Sequence, residues 1–149
     1  MGWSALFQLV NTVALLLWLV LILAPRRARL IGVLRVAGAG GLSLFYVALV
    51  ATALTIGFGE PRGAAPDFST IAGIRAIFAS DGGVVTGWTH YLALDLFAGL
   101  WIAEDGDARR IGRVVQAPVL LLTFLAGPAG LFLHLLLTRG VGLGHRAEA

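Results

Sequence analysis

The chain has no cysteine and no lysine among its 149 residues. The first absence removes disulfides, thiolate metal sites and cysteine nucleophiles from consideration. The second leaves arginine as the only strong base, at eleven positions, with a net charge of +3. Charge itself is scarce: 13% of residues are charged, against 58% hydrophobic, and the mean hydropathy is +0.90. A soluble domain carries about twice that charged fraction, so the composition points to an integral membrane protein. No basic run is interleaved with stacking aromatics, which argues against nucleic acid and for anionic lipid headgroups as the partner of the arginines. A glycine-rich phosphate loop on a strand-helix unit is also missing, so nucleotide chemistry has no anchor.

What is present is a set of apolar runs. Residues 3–24 form a first run long enough to cross a hydrocarbon core of about 30 Å, closed by Pro25. It lacks a basic leader region and a small-residue cleavage site, and reads as a retained span. Residues 31–57 form a second, with a Gly38-Ala39-Gly40-Gly41 stretch suited to close helix contact, either within the chain or with another protomer of a homo-oligomer. A polar connection follows. Within it, Asp67 is expected to cap a short amphipathic helix carrying Phe68, Ile71, Ile74 and Phe78 and ending at Asp81-Gly82-Gly83. Residues 84–103 and 114–137 complete four expected spans in one domain, the last with Pro118 and a Gly127-Pro128 kink. The tail after Thr138 is expected to be loose. The expected architecture is an all-α bundle of four transmembrane helices with a short amphipathic helix in the second loop.

Four spans place both termini on one side. Arg26, Arg27, Arg29, Arg35, Arg109, Arg110 and Arg113 then face Arg62, Arg75, Arg139 and Arg146 across the membrane, and the positive-inside rule puts both termini outside. The composition fits a bacterial inner membrane.

The third span carries the chemistry. Asp95 lies near its middle, where a carboxylate costs on the order of 3 kcal/mol and is normally retained for a function such as proton transfer. Helical spacing separates two stripes: Trp88, Tyr91, Leu92, Asp95 and Gly99 on one, His90, Leu94, Phe97 and Trp101 on another about 140° away. His90 and Asp95 thus face apart and are not expected to form a direct dyad. Tyr91, Asn11, Tyr46 and Thr123 are the candidate partners of Asp95. Structural alternatives stand beside these: Asn11 and Gln8 suit interhelical hydrogen bonding, His134 and the tryptophans suit span ends. His90, Asp95 and His134 match no zinc or iron spacing, so no metal is expected. Ser43 is the only serine well inside a span, on the wrong side for a hydrolase triad.

Three segments carry a family resemblance: FQLVNTVALLLWLVLILAP at residues 7–25, Gly87-Trp88-x-His90-Tyr91-Leu92-x-x-Asp95-Leu96-Phe97-x-Gly99-x-Trp101-Ile102, and residues 118–131 with Gly127-Pro128-x-Gly130. The chain resembles the small four-span membrane family that includes plant neoxanthin synthase, the abscisic-acid-deficient type. The resemblance implies a role in carotenoid or other isoprenoid metabolism, as an isomerase acting by acid/base chemistry on a lipid-soluble, epoxycarotenoid-like substrate. His90 and Asp95 would be the catalytic pair, with Asn11, Tyr46, Trp88, Tyr91, Trp101 and His134 contacting substrate and no soluble cofactor required. Two rivals remain at this point: a non-enzymatic carotenoid or lipid binder or assembly subunit, and a proton-coupled transporter that titrates Asp95.

Overall fold

A computed structural model describes residues 2–58 and 67–144, with side chains through residue 139; the expectations for Arg62 and Arg146 lie outside the described residues. The described residues form six helices and no strand: α1 Trp3–Leu23, α2 Ala28–Thr55, α3 Ile71–Ile77, α4 Asp81–Ala108, α5 Arg113–Leu125 and α6 Gly127–Gly144. By length and composition, α1 and α2 are each able to cross a membrane.

Helix α1 runs without glycine or proline and stops where Pro25 forces its predecessor Ala24 into extended backbone (φ −73°, ψ 155°). In α2 a π-helical turn at Leu34–Ala39 widens the coil as it enters the glycine run. Gly57 ends this helix at φ 74°, a left-handed conformation in which a Cβ would be strained. The short helix α3 exists as expected, but its cap is Thr70, whose Oγ1 accepts from the Gly73 amide at 3.0 Å. Asp67 acts one step earlier: its carboxylate accepts from the Ser69 amide and from the Ser69 and Thr70 hydroxyls at 2.6–2.8 Å. Those three bonds hold it down at about 2, below the usual carboxylate range. Asp81-Gly82-Gly83 does not end this helix. Ser80 caps the Gly83 amide, and Asp81 sits in the first turn of α4, where a negative charge meets free amides.

Contacts along the seams give the helix directions. Trp3 meets Phe58, Phe7 meets Trp88, Trp18 lies on Gly99, and Arg26 reaches Asp107. Helices α1 and α4 therefore run parallel, and α2 packs antiparallel against α4: Arg35 pairs with Glu104, and the Tyr46 ring meets His90. The Trp3, Phe58 and Asp81 end is called the upper end below, and the Arg26 and Asp107 end the lower. The core is the seam among these three helices, where Trp18, Leu21, Leu96, Leu100 and Ile102 are fully buried.

The segment expected as a fourth span is not one helix. Helix α5 starts at the lower end, where Arg113 bonds to Ile22 and Ala24, and climbs until Phe124 meets Trp18. At Ala126 (φ −155°, ψ 75°) the chain reverses. Gly127 then lies against Asp95, Gly130 against Thr123, and His134 bonds Asp105 near the lower end of α4. α5 and α6 are thus a hairpin with its tip halfway up the bundle. Gly-Pro here starts a new helix, with Pro128 in its first turn where its missing amide costs nothing, and glycines at 127 and 130 let the tip close on α4 and α5. Two expectations change. The described chain begins at the upper end and finishes beyond the lower end, so its ends do not share a side; and the segment after Thr138 remains helical to Gly144.

Candidate functional site

Helix α4 presents the two stripes expected of it. Leu92, Asp95 and Gly99 are buried, whereas Leu94 and Phe97 are 54% and 55% exposed. His90 is on the exposed stripe and Asp95 is 8% exposed on the other, so the two face apart and form no dyad.

The sequence-predicted residues resolve into three groups. In the first, Asp95 lies one helical turn from Tyr91 on the same face, and Tyr91 stacks on Trp88 with ring centroids 5.7 Å apart. The Trp88 Nε1–H donates to Asn11 Oδ1 at 3.0 Å, and the Asn11 amide donates to Phe7 O at 2.7 Å. Asn11 is thereby committed to Trp88 rather than to Asp95. Gly127 presses on Asp95 Oδ1, while Oδ2 is buried with no hydrogen-bond partner. Since the hairpin ends at Asp95, no part of it covers the stripe above, and Trp88 is exposed with Tyr91 half-buried.

In the second group, His90 and Tyr46 bring their rings to 5.1 Å on the outer side of the α2–α4 seam. In the third, Trp101 packs edge-on against His134, which is 2% exposed and hydrogen-bonded through Nε2 to Asp105 Oδ2 at 2.8 Å. His134 is therefore a lower-end residue, remote from Asp95. Thr123 donates back to Val119 O and offers nothing to Asp95; Thr12, Thr52, Thr55 and Thr89 bond their own helices in the same manner.

A groove of about 320 Å³ opens at the upper end of the α1–α4 seam, with Trp3, Ser4, Phe7, Gln8 and Asp81 on its walls. A second, of about 280 Å³ and lined by apolar side chains, lies between α1 and α2 over Val13, Ala37, Gly41 and Phe45. Neither reaches Asp95. The upper groove shares Phe7 with the Trp88 cluster, and thus leads toward the uncovered part of the Asp95 stripe.

Sequence reasoning missed the lower-end network. Arg26, whose side chain is 4% exposed, donates to Leu21 O, to Asp107 Oδ1 at 3.0 Å and to Gln116 Oε1 at 2.5 Å. Burial lowers the Arg26 pKa, and the Asp107 carboxylate opposes that shift. Gln116 returns bonds to Asp107 Oδ1 and Ile111 O, and Arg113 caps the Ile22 and Ala24 carbonyls, which no residue of α1 can satisfy. The only trace of this network in the sequence was the acidic run 104–107 opposite an arginine-rich loop. No group of residues able to hold a metal ion occurs among the described residues.

A family model described as ABA DEFICIENT 4-like matches residues 5–134. The chain belongs to this family. The match takes in α1 through α5 and the first part of α6, with every residue of the three groups above. The ABA DEFICIENT 4-like family has its role in carotenoid and xanthophyll metabolism, which supplies the precursor of abscisic acid. Neither a curated protein nor a solved structure matches the chain.

Proposed function

We propose that this ABA DEFICIENT 4-like protein is a single membrane-embedded domain that isomerises a lipid-soluble, epoxycarotenoid-like substrate, with Asp95 as its proton-transfer group. The observation that carries the reading is the Asp95 carboxylate itself: a nine-tenths-buried group with one oxygen against the glycine of the hairpin tip and the other without a hydrogen-bond partner, beneath an aromatic stripe open on one side. A buried carboxylate without a structural partner is costly in hydrocarbon and is retained where it acts.

The chemistry this suits is intramolecular. The epoxide C–O bond breaks, a neighbouring carbon loses its proton, a C=C bond forms there to give an allene, and the oxygen takes up a proton, so the product is an isomer. Asp95 Oδ2 would accept the carbon-bound proton and the Tyr91 hydroxyl would serve the oxygen. Exclusion of water by α1, α2 and the hairpin favours both transfers. His90, on the other face, takes no part in this version, and no soluble cofactor is required. The upper groove and the Trp88–Tyr91 stack suit a flat polyene end group.

In the bilayer, three helices would cross completely and the α5–α6 hairpin would enter halfway from the lower side. Arg139 then joins the seven lower-end arginines, leaving Arg75 as the described arginine at the upper end. The positive-inside rule places the N-terminus outside and the C-terminus inside a bacterial inner membrane.

The test is isomerisation of violaxanthin in vesicles holding the purified protein, followed by chromatography and mass spectrometry. A product of unchanged mass that disappears in Asp95→Asn, with thermal stability retained, is the expected result. Unfolding of that variant would favour the rival non-enzymatic reading, in which Asp95 serves to seat the hairpin tip; wild-type turnover by it would remove the carboxylate from the mechanism.

A further inference from the structure

The acidic side chains of the lower end are all spoken for. Glu104 pairs with Arg35, Asp105 with Arg109 and His134, and Asp107 with Arg26. Arg27 and Arg29 in and after the α1–α2 loop, and Arg110 in the α4–α5 turn, are exposed and have no acidic partner among the described residues. Arg113 is bonded only to backbone carbonyls, which leaves its charge uncompensated. Arg139, exposed on α6 past His134, adds to the same end. The surplus is local: internal ion pairs neutralise three arginines, and the remainder lie at the level where α1 and α4 end and α5 begins.

From this we infer that the lower end is a binding surface for anionic phospholipid, with the phosphate headgroups of the facing leaflet held by Arg27, Arg29 and Arg110 against the Arg113-capped end of α1. The inference rests on the membrane reading above. Guanidinium is the side chain best suited to phosphate oxygens, offering paired donors in a fixed plane. The flanking surface is apolar where acyl chains would lie: Leu23 and Val33 are exposed on either side of the loop, and Val114 and Val115 follow Arg113. A phospholipid headgroup and an apolar flank together distinguish a lipid from a free anion. The lower end thus takes its orientation from the leaflet it grips, and it does so without drawing on the buried ion pairs that hold the helices together.

The experiment reconstitutes the full chain in nanodiscs of equal phosphatidylcholine and phosphatidylglycerol and counts retained lipids by native mass spectrometry. Preferential retention of phosphatidylglycerol is expected, falling roughly fivefold for each arginine removed in the series Arg27→Gln, Arg29→Gln, Arg110→Gln. The matching triple lysine variant keeps most of the preference, and Arg75→Gln at the upper end leaves it unchanged. Equal retention of the two lipids overturns the inference, as does an undiminished preference in the triple glutamine variant. Displacement of the bound lipid by millimolar inorganic phosphate assigns the site to free anions and likewise overturns it. Failure of the chain to enter nanodiscs at all sinks the membrane reading together with this one; entry without preference sinks this one alone.

Discussion

The lower end and the middle of the bundle handle buried polarity in opposite ways. At the lower end Arg26 and Gln116 are almost fully enclosed, yet their polar groups meet each other, Asp107 and the Leu21 and Ile111 carbonyls. In the middle, Asp95 is enclosed to a similar degree and one of its oxygens meets nothing. A saturated network locks helices and leaves no group free to react; an unsaturated one weakens the fold and keeps a group available. On the proposed function, the lower end serves architecture and the middle serves chemistry.

The sharpest way to break that division is Asp95→Asn, which keeps the shape and removes the charge. Turnover of an epoxycarotenoid should fall by at least about a hundredfold, the usual scale for losing a positioned proton-transfer group, while the unfolding midpoint moves little. Arg26→Met should do the reverse. It leaves Gln116 Oε1 without its donor and Asp107 without its cation, and although Asp107 is partly exposed the expected loss is about 2 kcal/mol, read by thermal or denaturant unfolding. If Arg26→Met instead left stability intact and abolished turnover, the two regions would have exchanged roles.

Gly127→Ala probes the boundary between them, since a methyl there collides with the Asp95 carboxylate. It should cost about 1–3 kcal/mol in overpacking, with a larger relative loss in kcat than in KM. On the proposed topology, a reporter on the C-terminus should be active only on the cytoplasmic side, and activity outside would restore a full fourth span. The smallest effect belongs to α3. The Asp67 carboxylate is held at about 2 by Ser69 and Thr70, below its ordinary 3.8, so its contribution to the start of α3 is complete above pH 4. That contribution fades as pH falls from 4 toward 2. Amide exchange near Ser69 and Gly73 should quicken across that window, without change in the core.

Some of this was readable from residue order alone. The stripe of Trp88, Tyr91 and Asp95 follows from helical spacing, and so does the outward turn of His90, because the angle between two side chains on one helix is a property of the helix. The existence of α3 was readable from its apolar repeat. Its cap was not: Asp67 and Thr70 are both good capping residues three positions apart, and only the backbone angles decide between them. His134 was grouped with Asp95 because a continuous fourth span would have carried it to the other end of the bundle.

Residue order alone determined a helical, membrane-suited chain with a carboxylate in its most polar helix, and which neighbours share that carboxylate's face. These are consequences of composition and of a fixed 3.6-residue period. The tertiary structure decided the reversal at Ala126 and the joining of Arg26, Asp107 and Gln116. A Gly-Pro pair is compatible with a kink or a reversal, and contact with α4 selects between them. Residues 26, 107 and 116 become neighbours only when α1 and α4 end and α5 begins at one level, a condition that no local pattern encodes.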